Sequence, residues 1–99
     1  MYRGQKTAFF NSISYTNQFK RSLKKCVKQG LDLRLFTETL DILQATGTLP
    51  VRYRAHKLTG KYVDCWECHI QPDWLLIWRQ NDIELELILI DTGTHSDLF

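Results

Sequence analysis

The first apolar pattern along the chain has the three- and four-residue spacing of an amphipathic helix. It begins after Thr16 or Asn17, either of which can cap a helix, and extends to about Gln29. Its apolar face consists of Phe19, Leu23, Cys26 and Val27. Gly30 follows, and glycine readily adopts the left-handed conformation that ends a helix. The pattern therefore predicts a helix over residues 17–29.

A strand and a second helix are predicted on either side of this helix. The segment from Ala8 to Tyr15 is aromatic and β-branched with partial alternation, which is typical of a strand. Downstream, Asp32 can cap a second helix, and Gly47 closes it. The buried stripe of that helix is Leu33, Phe36, Leu40 and Leu43. A loop that begins at residues 48–50 then leads to His56.

After Gly60 the pattern changes to a period of two, which indicates β-strands. Three strands are predicted, from Tyr62 to Ile70, Trp74 to Arg79 and Ile83 to Ile90, with turn residues at 72–73 and 81–82 between them. The last of these becomes apolar on both faces, as a central strand does. The order β-α-α-β-β-β predicts a single α+β domain over residues 1–99, with two helices packed on a curved, mainly antiparallel four-stranded sheet.

The charge of the chain is divided unevenly, although the net value is only +2. Residues 1–34 hold eight basic residues and one acidic residue, whereas residues 35–99 hold five basic and ten acidic residues. Five of the basic residues occupy the polar side of the first helix: Lys20, Arg21, Lys24, Lys25 and Lys28. Such a surface favours binding of a polyanion. A basic but merely solvated helix is the alternative.

The compartment follows from what the sequence lacks. No segment approaches the roughly 20 apolar residues of a membrane span, and the N-terminus has no apolar signal-peptide region. We therefore expect a cytoplasmic protein with no membrane partner, whose three cysteines remain thiols.

Residues 65–69 spell C-x-x-C-H, the attachment motif of c-type haem. Haem attachment belongs to exported proteins, and Met1 is the only methionine, so the usual axial ligand is absent. On a strand, Cys65 and Cys68 would also point to opposite faces, which weakens a zinc site as well. We expect two ordinary cysteines, no metal and no cofactor.

The remaining polar residues are those that cleavage of RNA by its own 2′-hydroxyl requires. That reaction needs a base, an acid, positive charge near the phosphate and a surface on which a base stacks. The candidate proton carriers are His56, His69, Asp73 and His95. The candidate phosphate partners are Arg54, Lys57, Lys61 and Arg79, and the candidate stacking surfaces are Trp74 and Phe99. Each signal taken alone is weak, since a single histidine is more often structural.

Four segments resemble the YafQ-like branch of the RelE toxins: residues 15–20 (YTNQFK), 56–60 (HKLTG), 69–77 (HIQPDWLLI) and 92–99 (TGTHSDLF). The resemblance implies the β-α-α-β-β-β RelE fold and ribosome-dependent, metal-independent cleavage of mRNA in the A site. It also implies a cognate antitoxin, ribosomal RNA and mRNA as partners, with DNA contacted only through the antitoxin complex. The family's functional residues carry over onto His56, His69, Asp73, Trp74, His95 and Phe99.

Two positions depart from the family pattern. Asp91 stands where such toxins usually carry an arginine, and Gln71 stands where a glutamate is common. A carboxylate at position 91 would repel the scissile phosphate if it faced the site. Either Arg79, Lys57 or Lys61 compensates, or this member is attenuated. The alternative function is therefore a catalytically weakened RelE-fold binding protein that acts mainly through its antitoxin complex.

Overall fold

The computed structural model describes residues 9–99, which form three helices and one sheet. In chain order the elements are β1 (Ser12–Tyr15), α1 (Asn17–Lys28), α2 (Leu33–Thr46), β2 (His56–Lys57), β3 (Trp66–Gln71), β4 (Trp74–Asn81), β5 (Glu86–Gly93) and α3 (His95–Leu98). Single turns of 3₁₀ helix lie at Val51–Tyr53 and Gly60–Tyr62. Ala8, where the first strand was predicted to begin, lies outside the described residues.

The sheet has the strand order β1-β5-β4-β3-β2. β1 pairs in parallel with β5, and every other neighbouring pair is antiparallel. The predicted α+β class and the mainly antiparallel sheet are confirmed. The predicted number of four strands is wrong, because the two residues of β2 pair with the edge of β3. Two residues are too few to produce a periodic pattern in the sequence.

Both long helices begin and end where their capping residues predict. The Thr16 hydroxyl accepts the backbone N–H of Phe19 at 2.9 Å, and the Asp32 carboxylate accepts that of Arg34 at 2.9 Å. Gly47 ends α2 with a φ of 79°. A Cβ there would come within 2.7 Å of the Phe9 ring, so this helix end needs glycine for space as well as for conformation.

The strand boundaries differ from those predicted. β3 begins at Trp66 rather than Tyr62, because residues 60–62 form a 3₁₀ turn. β5 begins at Glu86 rather than Ile83, because the Asn81 side chain accepts the N–H groups of residues 83 and 84 and closes a turn. Leu85 then takes a φ of 54°. The strand continues to Gly93, buried on both faces towards its end, as the sequence predicts for a central strand.

One face of the sheet, which we call the helix face, is covered by α1 and α2. The Phe19 and Phe36 rings of the two helices lie 5.6 Å apart, and Trp66 stacks on Trp78 at 6.2 Å. The completely buried members of this core include Phe10, Cys68, Leu76, Leu87 and Leu89. Burial of this apolar surface is the main force that holds the helices on the sheet.

The opposite face of the sheet, which we call the open face, carries a smaller apolar cluster. Cys65, Leu75, Ile77 and Leu98 form it, and Leu58, Tyr62 and Ile90 pack against it. Cys65 therefore lies on one face and Cys68 on the other, as the strand geometry predicts. Burial raises the pKa of the Cys68 thiol to about 12. Among residues 9–99, no helix has the length and apolar character needed to cross a membrane.

Candidate active site

The polar residues of the open face lie in rows that follow from strand pairing. The first row pairs His69 with Leu75, and the second pairs Glu67 with Ile77. His56 pairs with Glu67 from the β2 side, and Asp91 pairs with Ile77 from the β5 side. Rows are about 6.6 Å apart along a strand, and neighbouring strands are about 4.8 Å apart. His56 and Asp91 thus stand at opposite ends of one row, about 14 Å apart.

His95 is fixed by Asp73. The Asp73 carboxylate accepts both the backbone N–H of His95 at 3.0 Å and its ring Nδ1–H at 2.8 Å. These hydrogen bonds hold the pKa of the Asp73 carboxyl below its usual value. Because the carboxylate accepts from Nδ1, the proton of the neutral imidazole lies on that atom and Nε2 is the free base.

His69 is anchored in the same manner. Its Nδ1 lies 3.3 Å from the carbonyl oxygen of Pro72, which can only accept, so Nε2 again carries the lone pair. The His69 and His95 rings lie 5.8 Å apart at 50° to each other. The turn between β3 and β4 supplies both anchors, since Pro72 and Asp73 are consecutive residues. The structure therefore brings together three of the four predicted proton carriers.

His56 lies apart from this pair, on β2, with acceptors at both ring nitrogens. Its Nδ1 donates to the carbonyl of Arg54 at 2.8 Å, and its Nε2 lies 3.3 Å from the Glu67 carboxylate. Arg54 has a φ of 54°, and this left-handed conformation turns its carbonyl towards the ring. Acceptors on both sides would satisfy both N–H groups of a protonated ring, whereas the neutral ring has only one N–H to donate.

Glu67 was missed by the sequence analysis. Its side chain is 7% exposed, and its second carboxylate oxygen, Oε2, is buried without a hydrogen-bond partner among the described residues. Such a buried acid is costly unless it has a partner. An acidic residue between Cys65 and Cys68, flanked by Trp66 and Cys68, is the signal that could have drawn attention to it. Its pairing with His56 depends on β2, which the sequence pattern did not show.

Trp74 does not lie in the site, and its predicted role as a stacking surface is wrong. The side chain is 1% exposed and belongs to the core under the helices. Its indole N–H donates to the Thr92 hydroxyl at 2.9 Å, and that hydroxyl donates to the Leu75 carbonyl at 2.6 Å. Because the first residue of β4 points towards the helix face, no part of the ring is available to an RNA base.

Two of the predicted phosphate partners are too far from the His69–His95 pair. Lys57 pairs with Trp66, and its ammonium group lies 5.8 Å from the centre of that ring, on the helix face. Arg79 is on the open face, where its charge acts on the Cys65 thiol. It follows Asp73 by six residues, or about 20 Å along the strand. Lys57 and Arg79 therefore lie away from the His69–His95 pair, and their contacts with the scissile phosphate stay a prediction.

The other predicted binding residues are exposed and border the site. Arg54 lines a cavity of about 340 Å³ together with His69. Lys61 lies in a second cavity, of about 490 Å³, that also contains Asp91. Phe99 is 65% exposed, and its ring meets Tyr62 edge-on at 5.7 Å. A base could stack on Phe99 without any rearrangement of the core.

The basic residues of α1 divide into two groups. Arg21 and Lys25 face the C-terminal segment and line a cleft with Asp91 and Asp97. The other three, Lys20, Lys24 and Lys28, are exposed and project from the remaining part of the helix surface. Only these three present the uninterrupted basic surface that the sequence predicts.

Asp91 lies at the border between the open face and α1. It is 8% exposed, and its carboxylate accepts the backbone N–H of Thr92 at 2.8 Å. Its charge adds to burial in raising the pKa of Tyr62. The residue is thus in the second row of the open face, one row away from Gly93 and the His69 row. A carboxylate at this position lies beside the candidate site rather than between its two histidines.

Comparison with known proteins places this chain in a family. Residues 11–99 match the family model described as "Bacterial toxin of type II toxin-antitoxin system, YafQ". The mRNA interferase toxin YafQ of Escherichia coli K12 is 32% identical over 89 residues, covering 88% of this chain and 94% of that protein.

Two solved structures show the same architecture. The toxin in the crystal structure of the E. coli DinJ–YafQ toxin–antitoxin complex has a TM-score of 0.79 at 31% identity, covering 88% of this chain and 94% of that chain. A metal-bound toxin from Helicobacter pylori has a TM-score of 0.81 at 36% identity, with coverage of 89% and 98%. The resemblance seen in the sequence is therefore confirmed, and the chain belongs to the YafQ family of bacterial toxins of type II toxin–antitoxin systems.

Proposed function

We propose that this chain is the toxin of a type II toxin–antitoxin system and cleaves mRNA in the ribosomal A site. One observation carries the proposal: two histidine rings lie 5.8 Å apart, and each is held through Nδ1, so Nε2 of each ring is left as the free base. Two such groups are what cleavage by the 2′-hydroxyl requires. Relatives of this chain are named mRNA interferase toxins.

In the proposed reaction, one of the two histidines removes the proton of the 2′-hydroxyl, and the oxygen attacks the adjacent phosphorus. The bond from phosphorus to the 5′-oxygen breaks as the other histidine protonates that oxygen. The products are a 2′,3′-cyclic phosphate and a 5′-hydroxyl. Asp73 orients His95 and stabilises its protonated form, so its part is orientation rather than proton transfer at neutral pH.

Positive charge near the phosphate is assigned to His56 and Lys61. The His56 ring is held between the Arg54 carbonyl and the Glu67 carboxylate, and when protonated it would supply a fixed charge that stabilises a phosphorane without reorganising. Lys61 is exposed and borders the cavity beside Asp91. Phe99 is assigned to stacking on a base of the A-site codon.

No step of this mechanism passes through a metal ion. Although a relative has been solved in a metal-bound form, no group of three His, Cys, Asp or Glu side chains among residues 9–99 is arranged as a ligand set. His56 and Glu67 alone supply two donors, fewer than the three or four that a protein metal site uses.

The proposed partners are the ribosome, mRNA and a cognate antitoxin. The exposed Lys20, Lys24 and Lys28 would hold ribosomal RNA through its phosphates, in a salt-dependent contact. An antitoxin bound to this surface would block it. An acidic segment that becomes ordered when it binds would complement the basic surface. The E. coli relative has been solved with its antitoxin DinJ. DNA would be contacted only through the antitoxin complex.

We also propose that residues 1–99 act as one domain in the cytoplasm, where the ribosome is found. Residues 9–99 share a single sheet, which supports this assignment. The alternative is a catalytically weakened binding protein of the same fold, for which the substitution at position 91 is the supporting observation.

The test is to express the chain alone in a bacterium and map new 5′-hydroxyl ends in mRNA, with and without an inhibitor of translation initiation. We expect growth arrest and cuts at in-frame codons that disappear when translation is blocked. Co-expression of the adjacent reading frame should restore growth. Absence of cuts from a folded protein that still binds an antitoxin would favour the alternative.

A further inference from the structure

The C-terminal helix α3, which carries His95, is too short to hold its own position. It has four residues, and isolated helices shorter than about 12 residues are marginal in water. Its place is therefore set by contacts with the rest of the molecule. Two of these are internal to the site: Leu98 is buried in the open-face cluster, and Asp73 binds His95.

A third contact involves Asp97, whose carboxylate joins three parts of the chain. One oxygen accepts the backbone N–H of Thr94 at 3.1 Å and completes a capping box at the start of α3. The other accepts the ammonium of Lys25, on α1, at 3.2 Å. Both contacts hold the pKa of Asp97 below its usual value. A Cβ on Gly93 would lie 3.0 Å from that of Asp97, so the turn before α3 is tightly packed.

Lys25 is the α1 residue placed to make this contact. At 100° per residue, Gln18, Ser22 and Lys25 share one side of the helix, and Arg21 stands at its edge. These four line a cleft of about 190 Å³ whose other wall is the C-terminal segment. Lys24, the adjacent residue, points to solvent instead. Two neighbouring lysines of the same helix thus have different surroundings.

Asp91 makes the cation at Lys25 more important. Its carboxylate lines the same cleft and, among the described residues, has no ion-pair partner within 4 Å. Lys25 lines this cleft together with both carboxylates. Burial raises the pKa of the neighbouring Cys26 thiol, the charges of Asp97 and Asp91 add to the increase, and the charge of Lys25 opposes it. Without it, two like charges would repel each other across the cleft, and the short α3 is the part free to move.

We infer that Lys25, through Asp97, is a positioning residue that holds α3 and His95 in the active site. The inference rests on the proposed function for its kinetic test, although the contact itself does not. It removes Lys25 from the group of lysines that bind ribosomal RNA. It also ties the position of His95 to the helix that faces the ribosome.

The test is single-turnover cleavage on programmed ribosomes as a function of toxin concentration. Lys25→Gln should lower the rate at saturation about fivefold, or about 1 kcal/mol, which is the upper range for an exposed ion pair. The half-saturating concentration should stay within about twofold, because this lysine does not bind the ribosome. Lys25→Arg should restore the rate. Lys24→Gln should do the reverse, raising the half-saturating concentration with little change in the saturated rate.

Two controls make the outcome decisive. Arg34→Gln breaks the exposed Arg34–Asp32 ion pair at the start of α2, which contacts neither Lys25 nor Asp97, and should change neither quantity. The double variant Lys25→Gln/Asp97→Asn should be no slower than the slower single variant, because both changes remove one interaction. If Lys25→Gln cleaves at the wild-type rate at saturation, or weakens only ribosome binding as Lys24→Gln does, the inference is wrong.

A second measurement separates this inference from the proposed function. In the free protein, backbone ¹⁵N order parameters of residues 94–99 should fall in Lys25→Gln and remain unchanged in Lys24→Gln. Unchanged order in Lys25→Gln would overturn the inference whether or not the wild-type protein cleaves mRNA. Failure of the wild-type protein to cleave, with the expected loss of order, would overturn only the proposed function.

Discussion

The two faces of the sheet are built by different means. The helix face is held by large apolar side chains whose positions repeat along the sequence, and Trp74, Trp78 and Leu76 on it are almost completely buried. The open face has few such residues, and its histidines are held by hydrogen bonds that their rings donate to turn and loop residues. His69 donates to Pro72, His95 to Asp73 and His56 to Arg54. The first face sets stability, and the second sets chemistry. Substitutions on the two faces should therefore separate these properties.

The largest expected effect is on the open face. His95→Gln removes a proposed proton carrier and should lower single-turnover cleavage by ~10²–10⁴-fold. Because more than half of the side chain is exposed, the free energy of unfolding should change little. Cleavage on programmed ribosomes and urea denaturation measure the two quantities. Ser96→Ala, at the next position of α3, is the control and should retain activity. A folded His95→Gln variant that cleaves normally would exclude His95 from the mechanism.

Trp74→Ala should lower the free energy of unfolding and leave the cleavage rate nearly unchanged, because this residue belongs to the helix face. Removing a buried tryptophan leaves a cavity and the Thr92 hydroxyl without its donor, and should cost about 3–5 kcal/mol of unfolding free energy. At a temperature where the variant remains folded, the chemical step should stay within a few-fold of wild type. Urea denaturation gives the first quantity and single-turnover cleavage the second. A stable variant that cannot cleave would restore the stacking role that the structure rejects.

The same division explains which parts of the fold the sequence predicts. Helices α1 and α2 are predicted correctly because Thr16, Asp32 and Gly47 are local signals that act within a few residues. The start of β5 is not, because an apolar alternation continues through residues 83–85 although Asn81 closes a turn there. Strand β2 has two residues, and its existence depends on the partner strand rather than on its own pattern.

For the site, the sequence predicts the residue types better than their arrangement. His69, Asp73 and His95 are recognisable as a set, and the structure brings them together. The positions of Lys57 and Trp74 could not be inferred, because the face on which a side chain lies depends on register, and a shift of one residue exchanges the faces. The family pattern also gives no information about the position of a residue that departs from it, such as Asp91. The assignment of roles to the site residues stays a prediction.

A smaller effect is expected at Glu67, which is the more buried of the two acidic side chains, Glu67 and Asp91, in the second row of the open face. Glu67→Gln keeps the shape of the side chain but removes the carboxylate that lies beside Nε2 of His56, and should lower cleavage about tenfold. Stability should be retained, because a buried charge with one unpaired oxygen is replaced by a neutral amide. Glu86→Gln removes a less buried carboxylate on β5, three strands away from His56, and should cleave normally.

The state of His56 can be observed directly in this variant. Ring ¹⁵N shifts of His56 should differ between the wild-type protein and Glu67→Gln, because the acceptor beside Nε2 changes from a carboxylate to an amide. Equal ring shifts in the two proteins, with equal cleavage, would mean that Glu67 is only a buried structural acid.

The smallest expected effect is at Asp91, where the two faces meet beside α1. Asp91→Asn removes the negative charge and keeps an oxygen that can accept the Thr92 N–H, so the fold should be unchanged. At a distance of about 10 Å, the repulsion between this carboxylate and a phosphate is about 0.4 kcal/mol in water and about 1.7 kcal/mol at an effective dielectric constant of about 20. The position borders the cleft beside α1, so a value between these limits applies, and we expect cleavage about threefold faster than wild type.

Single-turnover cleavage measures the gain, with Asp82→Asn in the exposed turn as the control for a general change in net charge. A gain in Asp91→Asn alone would show that the departure from the family pattern attenuates this toxin. An equal gain in both variants would mean that the faster cleavage comes from net charge. No gain would show that the charge at position 91 does not affect the reaction, and this result would remove the main support for the weakened binding protein.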